Sequence, residues 1–146
     1  HSVNSSGVMI ASGITLRNYG TVLVSVADED KEETLPLIRR FYNMGFNIEA
    51  TTLTGEVLRE NGIRTRILHK PSEGSEEVLD SIRAGYVSYV INTRAILSGK
   101  HFGDGVAIRQ CAAQNNIAML TNLDTVRMLL DVLEEVTLGI STIDKR

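Results

Sequence analysis

Hydroxyl, amide and lysine side chains follow four apolar segments of this sequence, at the points where parallel strands would end. The four stretches are TVLVSVADEDK, NIEATTLTG, VSYVINTR and IAMLTNLDT. Ligands of open α/β sheets bind outside the carboxyl ends of the strands. Such donors suit an anion such as phosphate, whereas a pair of residues able to transfer protons is hard to find among them. The sequence therefore predicts an anion-binding site without catalytic residues.

The candidate ligands on the first half of the chain are two threonines and two lysines. Thr51 ends a predicted strand and Thr54 opens a predicted helix, where free backbone amides suit phosphate, although Thr54 could be only an N-cap. Lys31 stands at a helix start, where its charge opposes the helix dipole unless an anion is bound. Lys70 lies in the loop ILHKPSEG, which could close over a ligand. Taken alone, either lysine is more simply a solvated side chain.

The second half of the chain adds a strand end and a long loop. Asn92 and Thr93 end the fourth predicted strand, and the segment RAILSGKHFGDG follows. This loop exceeds the usual two to six residues, and long loops at strand ends often carry function. Arg94 and Lys100 add positive charge to it.

His101 and Asp104 are the candidates for acid–base work near the predicted crevice. A histidine could move protons near neutral pH, and an aspartate could orient it. We favour the simpler interpretation, in which Asp104 caps the following helix and His101 is a loop side chain. His69 is expected to be exposed, and no group of Cys or His has the spacing of metal ligands.

Strand and helix patterns alternate from Gly20 onward, which predicts an α/β fold. We expect a three-layer, doubly wound sheet of about five parallel strands, because crossover helices cover both faces of a parallel sheet. A capping box of Asp30 and Glu33 is expected to start the first helix, and Gly45 to end it. The predicted strands span 21–27, 46–50, 63–68, 86–92 and 117–120, and the later helices span 54–61, 76–84, 105–114 and 123–135.

The composition argues against several classes of function. A formal net charge of −3 disfavours a general nucleic-acid surface, which needs clustered Lys and Arg. No run approaches the roughly 18 apolar residues of a membrane span, and no signal-peptide pattern is present. The first predicted turn lacks G-x-G-x-x-G and the chain lacks G-K-[ST], which disfavours the usual dinucleotide fold and a P-loop nucleotidase. The lone Cys111, expected to be buried, fits a reducing compartment.

The length of 146 residues predicts one domain. Residues 1–20 look like a cloning remnant or linker, 21–138 like the domain, and 139–146 like a tail. Because the sequence starts with His1, we expect it to be a piece of a longer chain.

Taken together, these motifs resemble the methylglyoxal-synthase-like domain, and specifically the carboxy-terminal allosteric domain of the carbamoyl phosphate synthetase large subunit. The resemblance runs from about Gly20 to Val136. The segment from SVADEDK to RENGI is similar to the family's opening, LHKPSEG to its NKVxEG-type loop, and YVINT to its IINT strand end. The last part of the family pattern, IRRxA…TTL, is similar to the segment AIRQCAAQNNIAMLTNLDT.

The resemblance implies roles for individual residues. A family threonine falls on Arg94, with Thr93 beside it, and the glycine between the two family threonines is Leu53. Because of these two differences from the family, the identity of the effector is left open. The family's phosphate-contacting lysine, two threonines, second lysine and asparagine fall on Lys31, Thr51, Thr54, Lys70 and Asn92.

The implied function is regulatory. The domain would bind a phosphate-bearing effector, such as uridine or inosine monophosphate, and tune a cytoplasmic, glutamine-using, ATP-dependent ligase that makes carbamoyl phosphate for pyrimidine and arginine synthesis. No cofactor is expected in this segment, whereas the parent would use ATP with Mg or Mn. Its partners would be the rest of the large subunit and the glutaminase small subunit. Neither nucleic acid nor membrane is expected, and homo-oligomerisation is left open.

Two other functions stay open. Methylglyoxal synthase is the enzyme alternative, acting on dihydroxyacetone phosphate. Its first histidine and essential aspartate would fall on Ala27 and Ser75, and its second histidine and another aspartate on His101 and Asp104. The missing base carboxylate argues against this activity. The third possibility is a structural or oligomerisation module, which would bind no nucleotide.

Overall fold

The computed structural model describes residues 17–93 and 102–144. Within these residues five parallel strands form one sheet in the order β3-β2-β1-β4-β5. The predicted doubly wound α/β fold is therefore confirmed. The strands are β1 (Thr21–Ser25), β2 (Asn47–Thr51), β3 (Thr65–Leu68), β4 (Val87–Asn92) and β5 (Ala118–Leu120).

Helices connect successive strands, as a parallel sheet requires. Two short 3-10 turns, Asp28–Asp30 and Pro71–Glu73, follow β1 and β3. The helices are α1 (Lys31–Asn43), α2 (Thr52–Glu60), α3 (Glu77–Arg83), α4 (Phe102–Gln114) and α5 (Leu123–Asp144). None of the described helices is long and apolar enough to cross a membrane.

The sheet is buried on both faces, which makes the fold three-layered. Apolar residues of α1, α2 and α5 pack on one face around Val22, Val24 and Phe41. Residues of α3 and α4 pack on the other face around Leu23 and Val90. The residues of β1 are buried throughout, as expected for a central parallel strand. Cys111 is buried in the second cluster, as the sequence predicted.

Glycines are favoured at two places in the fold for different reasons. Gly45 follows α1 with φ of +100°, a conformation that favours glycine, so the predicted end of this helix is confirmed. Gly55 lies in α2, where an added Cβ would come within 2.6 Å of the Ile67 side chain. Only a glycine therefore lets α2 approach β3 this closely, and α2 carries Thr54.

Several predicted element boundaries were wrong. Asp30 makes no side-chain capping bond, because the 3-10 turn before α1 replaces the expected capping box. β1 ends at Ser25 rather than at residue 27. α5 continues past residue 135 to Asp144, into the region predicted to be a tail.

The residues just before β1 contact the sheet, although we predicted a linker there. The hydroxyl of Tyr89 donates to the backbone oxygen of Arg17 and accepts from its backbone nitrogen, both at 2.7 Å. Burial raises the pKa of the Tyr89 phenol, with the Arg17 hydrogen bond opposing it. Ser88 Oγ also donates to the backbone oxygen of Tyr19, at 2.6 Å.

Ion pairs hold α1 against α5. Arg40 contacts Glu134 at 2.8 Å and Asp131 at 2.9 Å, and these carboxylates raise the pKa of the Arg40 guanidinium. Arg127 of α5 pairs with Glu33 in the first turn of α1. The start of α1, where Lys31 lies, is thereby tied to the rest of the fold.

Candidate anion-binding site

The strand order brings the predicted ligands to one edge of the sheet. β1 lies between β2 and β4, the point at which the strand order reverses, and such points form ligand crevices in doubly wound sheets. Ser25 is in register with Asn92, and Thr51 with Leu68. The polar residues that follow the four strand ends therefore share the carboxyl edge. We call the set Lys31, Thr51, Thr54, Lys70, Asn92 and Thr93 the carboxyl-edge site.

Two buried threonines join β2 and α2 to the end of β1. Thr51 Oγ1 donates to Ser25 Oγ at 3.1 Å, and Thr54 Oγ1 accepts from the backbone nitrogen of Val26 at 3.3 Å. Thr51 occupies the N-cap position of α2, so the prediction that Thr54 opens this helix was wrong. Thr54 instead lies inside the first turn, where it fixes the backbone after β1.

The end of β4 makes matching contacts from the other side. Thr93 Oγ1 accepts from the backbone nitrogen of Ala27 at 3.2 Å, and the Thr93 backbone nitrogen donates to Ser25 O at 3.3 Å. Asn92 is buried beside it at the end of β4. The structure thus brings Thr51, Thr54 and Thr93 together around the end of β1 and the two residues that follow it.

A fourth threonine at this edge was missed by the sequence analysis. Thr52, the first residue of α2, has a buried Oγ1 with no hydrogen-bond partner among the described residues. A buried hydroxyl without a partner costs free energy. Its position in TTLT gave no signal, because three threonines there look alike in the sequence.

Lys31 is the first residue of α1 and is largely buried, with 12% of its side chain exposed. Its ammonium pairs with Asp28, whose side chain is 80% exposed. The simple interpretation of Lys31 as a solvated side chain is therefore wrong. An anion that enters the site would therefore compete with the Asp28 carboxylate for the Lys31 ammonium.

Lys70 is also buried, at 8% exposure, so it is not a solvated lysine either. It precedes the 3-10 turn Pro71–Glu73 and follows the end of β3. Its backbone nitrogen donates to the carboxylate of Glu73 at 2.7 Å. Gly74 has φ of +79° and lets the chain turn back toward α3.

Asp104, which we predicted to cap the following helix, fixes the Lys70 loop. It lies in the first turn of α4 and is 4% exposed. Its carboxylate accepts from the backbone nitrogen of Ser72 at 2.8 Å and from the Ser72 hydroxyl at 2.7 Å. The sequence could not reveal this pair, because a loop, α3 and β4 separate the two residues.

His69 is exposed, as predicted, and pairs with Glu77 at the start of α3. Its Nδ1 and its backbone nitrogen both lie 2.8 Å from Glu77 Oε1. This hydrogen bond raises the pKa of the imidazole, and the same two contacts lower the pKa of the Glu77 carboxyl.

Three predicted residues, Arg94, Lys100 and His101, lie outside the described residues. At the end of β5, Asn122 Oδ1 accepts from the Thr125 backbone nitrogen at 2.8 Å and so begins α5. Thr121 and Asn122 border a cavity of about 240 Å³ that carboxylates also line, which does not suit an anion. Within the described part of the chain, no cluster of His, Cys, Asp and Glu could hold a metal ion.

Comparison with known proteins assigns the chain to a family. The sequence profile described as "MGS-like domain" matches residues 33–121, more than half of the chain. The chain belongs to the MGS-like domain family. The matched range contains most of the carboxyl-edge site and omits only Lys31.

Solved structures share this MGS-like fold. Methylglyoxal synthase from Elizabethkingia anophelis NUHP1 superposes with a TM-score of 0.62 at 17% identity, covering 79% of each chain. The structure of ForH gives a TM-score of 0.60 at 18% identity, covering 80% of each chain. At these identities the likeness concerns the fold alone.

Proposed function

We propose that this MGS-like domain is the allosteric domain of a carbamoyl phosphate synthetase large subunit, and that its carboxyl-edge site binds the phosphate of an effector such as uridine or inosine monophosphate. The parent would be a cytoplasmic, ATP-dependent ligase using Mg or Mn, partnered by a glutaminase small subunit. None of that chemistry would occur in this domain.

The clustering of the threonines with the burial of both lysines carries this proposal. Thr51, Thr54 and Thr93 contact Ser25 and the two residues after it from two sides, so hydrogen bonds fix the chain where it leaves β1. Lys70 is buried and the Lys31 side chain is largely buried, although lysine is rarely so. A rigid crevice with buried positive charge is suited to a phosphate.

Binding would require Lys31 to exchange partners. Its ammonium would leave Asp28, an exposed carboxylate, and take a phosphate oxygen in a more buried setting. Each hydrogen bond to a charged group contributes about 1.5–3 kcal/mol. Coupling to the distant catalytic sites would amount to about 1–3 kcal/mol. The change at Lys31 would carry the signal, since α1 is ion-paired to α5.

Two described positions at which methylglyoxal synthase would carry titratable groups hold other residues, which supports the regulatory proposal. Ser75, where the base aspartate of methylglyoxal synthase would fall, accepts through Oγ from the Glu77 backbone nitrogen at 3.1 Å. Ala27, where a histidine would fall, has no titratable group. Buried Asp104 is the one observation that favours the enzyme alternative, yet both its oxygens accept from Ser72.

Calorimetric titration of the domain with uridine and inosine monophosphate tests the proposal. We expect Lys31→Ala to weaken binding at least tenfold and to leave thermal stability nearly unchanged, because Lys31 pairs only with an exposed carboxylate among its described partners. Equal affinity for the wild type and the variant would refute the site.

Two threonine variants provide a matched control. Thr51→Val removes a hydroxyl that bonds Ser25, and we expect weaker nucleotide binding. Thr125→Val removes a hydroxyl that bonds Asn122 at the start of α5, outside the carboxyl-edge site, and we expect little change. Incubation with dihydroxyacetone phosphate tests the alternative function, methylglyoxal synthase. Methylglyoxal formed above background would show that the domain is an enzyme. A structural module would show no nucleotide-induced shift in melting temperature.

A further inference from the structure

A cavity of about 650 Å³ opens at the amino edge of the sheet, opposite the carboxyl-edge site. This volume falls within the range of about 300–1,000 Å³ that small-molecule sites occupy. The first residues of three strands, Thr21, Asn47 and Thr65, line it. We call this space the amino-edge cavity.

The register of the sheet explains why space is left here. Thr21 pairs with Asn47, but the ladder between β2 and β3 begins only at Ile48 and Thr65. After α2 the chain passes through Arg64, and β3 therefore joins the sheet one residue row further from the amino edge than β1 and β2 do. On the other side of β1 the register with β4 is irregular between Thr21 and Val22. The amino edge is uneven on both sides of β1.

Three arginines surround this cavity, one from α2, one from the segment between α2 and β3, and one from β3: Arg59, Arg64 and Arg66. Arg59 Nε donates to the backbone oxygen of Thr65 at 2.9 Å, which orients its guanidinium along the wall. Arg64 is exposed and has no ion-pair partner within residues 17–93 and 103–136. A second cavity of about 400 Å³ adjoins through the shared residues Arg59 and Arg64.

The one acidic residue of the lining is largely withdrawn from solvent. Glu49 is 4% exposed, and its carboxylate accepts from Ser81 Oγ and from the Tyr86 hydroxyl, the latter at 3.2 Å. Arg66 reaches it only at 3.4 Å, and 69% of the Arg66 side chain is exposed. The accessible charge of the amino-edge cavity is therefore positive.

We propose that the amino-edge cavity binds a small organic anion carrying two or more carboxylate or phosphate groups, with Arg64 and Arg66 as its main ligands. Paired guanidinium groups suit such an anion, because their planar donors match carboxylate and phosphate oxygens. Tyr42 and Tyr86 would contact its carbon skeleton from the walls. This site is separate from the phosphate site proposed above and would act independently of it.

Amide NMR titration can follow the two edges separately. Inorganic pyrophosphate and citrate serve as probes, so that the two arms distinguish phosphate from carboxylate recognition. We expect saturable shifts of the Asn47 and Thr65 amide signals with at least one probe.

The double variant Arg64→Gln/Arg66→Gln should weaken this binding at least tenfold. Arg109→Gln, which removes one exposed arginine from α4, is the control for the loss of a positive charge elsewhere on the surface and should leave the affinity unchanged.

The same spectra separate this proposal from the nucleotide site. Shifts at Val26 and Ala27 report on the carboxyl-edge site, and their presence or absence does not affect the outcome at Asn47 and Thr65. The proposal is overturned if neither probe moves the amino-edge signals. It is overturned equally if the double variant binds with wild-type affinity, or if Arg109→Gln weakens binding as much.

Discussion

The two edges of this sheet hold charge in different ways. At the carboxyl edge, hydroxyls of Thr51, Thr54 and Thr93 bond the strand ends, Lys70 is buried and Lys31 is largely buried. At the amino edge, arginines stand around an open cavity and the buried charge is the carboxylate of Glu49. The first arrangement is rigid and suits one small group, whereas the second is open to solvent and suits a larger anion.

This difference shows that the direction of the strands decides what each edge can do. Backbone segments leaving the carboxyl ends run into helix starts, where amides and short hydroxyl side chains meet. Segments entering the amino ends come from helix ends, which favour basic residues. Arg59 in the last turn of α2 follows that rule.

The largest effect should come from Lys70→Met, which removes the charge but keeps the aliphatic stem. We expect nucleotide affinity to fall roughly ten- to 150-fold, because a charge-assisted hydrogen bond contributes about 1.5–3 kcal/mol. Calorimetric titration measures this, with Arg109→Gln as the control. An unchanged affinity would mean that the buried lysine is structural, and the contrast between the two edges would break down.

At the amino edge, Glu49→Ala should lower the free energy of unfolding by about 1–3 kcal/mol, because buried Ser81 and its neighbour Tyr86 lose their acceptor. Urea denaturation measures the loss. Glu56→Ala, at an exposed position of α2, should be nearly neutral. Nucleotide affinity should be unaffected. If it falls too, the two edges are coupled and not independent.

A double-mutant cycle on Asp104→Asn and Ser72→Ala tests how the Lys70 loop is held. We expect a coupling energy of about 0.5–3 kcal/mol in the free energy of unfolding, because the pair shares two hydrogen bonds. Nucleotide affinity should fall severalfold in both single variants, as the loop loses its anchor. Additive effects of the two substitutions would show that Asp104 does not act through Ser72.

The smallest effect should be the pH dependence at His69. Its hydrogen bond with Glu77 raises the imidazole pKa above the ordinary 6.5, and Glu77→Gln should return it toward that value. The stabilisation that the raised imidazole pKa gives the folded state is therefore fully present below pH 6.5, and it is lost as the pH rises through that raised pKa. The carboxyl pKa of Glu77 is lowered, so its contribution is lost in acid. An NMR titration of the His69 ring that gives an ordinary or lower midpoint would contradict this.

The fold followed from the sequence because its signals are local. Alternating apolar segments and helical stripes, with Gly45 and similar residues at the helix ends, predicted the parallel sheet and its layers. Boundaries were less predictable, since they depend on contacts between elements. The 3-10 turn that replaced the Asp30 cap and the true role of Thr54 both depend on how β1 and α2 meet.

The sequence by itself determined which residue types stand at the carboxyl ends of the strands, because hydrophobic periodicity and strand direction fix where each strand stops. Only the tertiary structure decided which of them are buried and what they bond. The pairing of Asp104 with Ser72, the burial of Lys70 and the arginine-lined cavity at the opposite edge come from residues far apart in the chain. Contacts of this kind depend on how elements distant in the chain pack together, which no local pattern encodes.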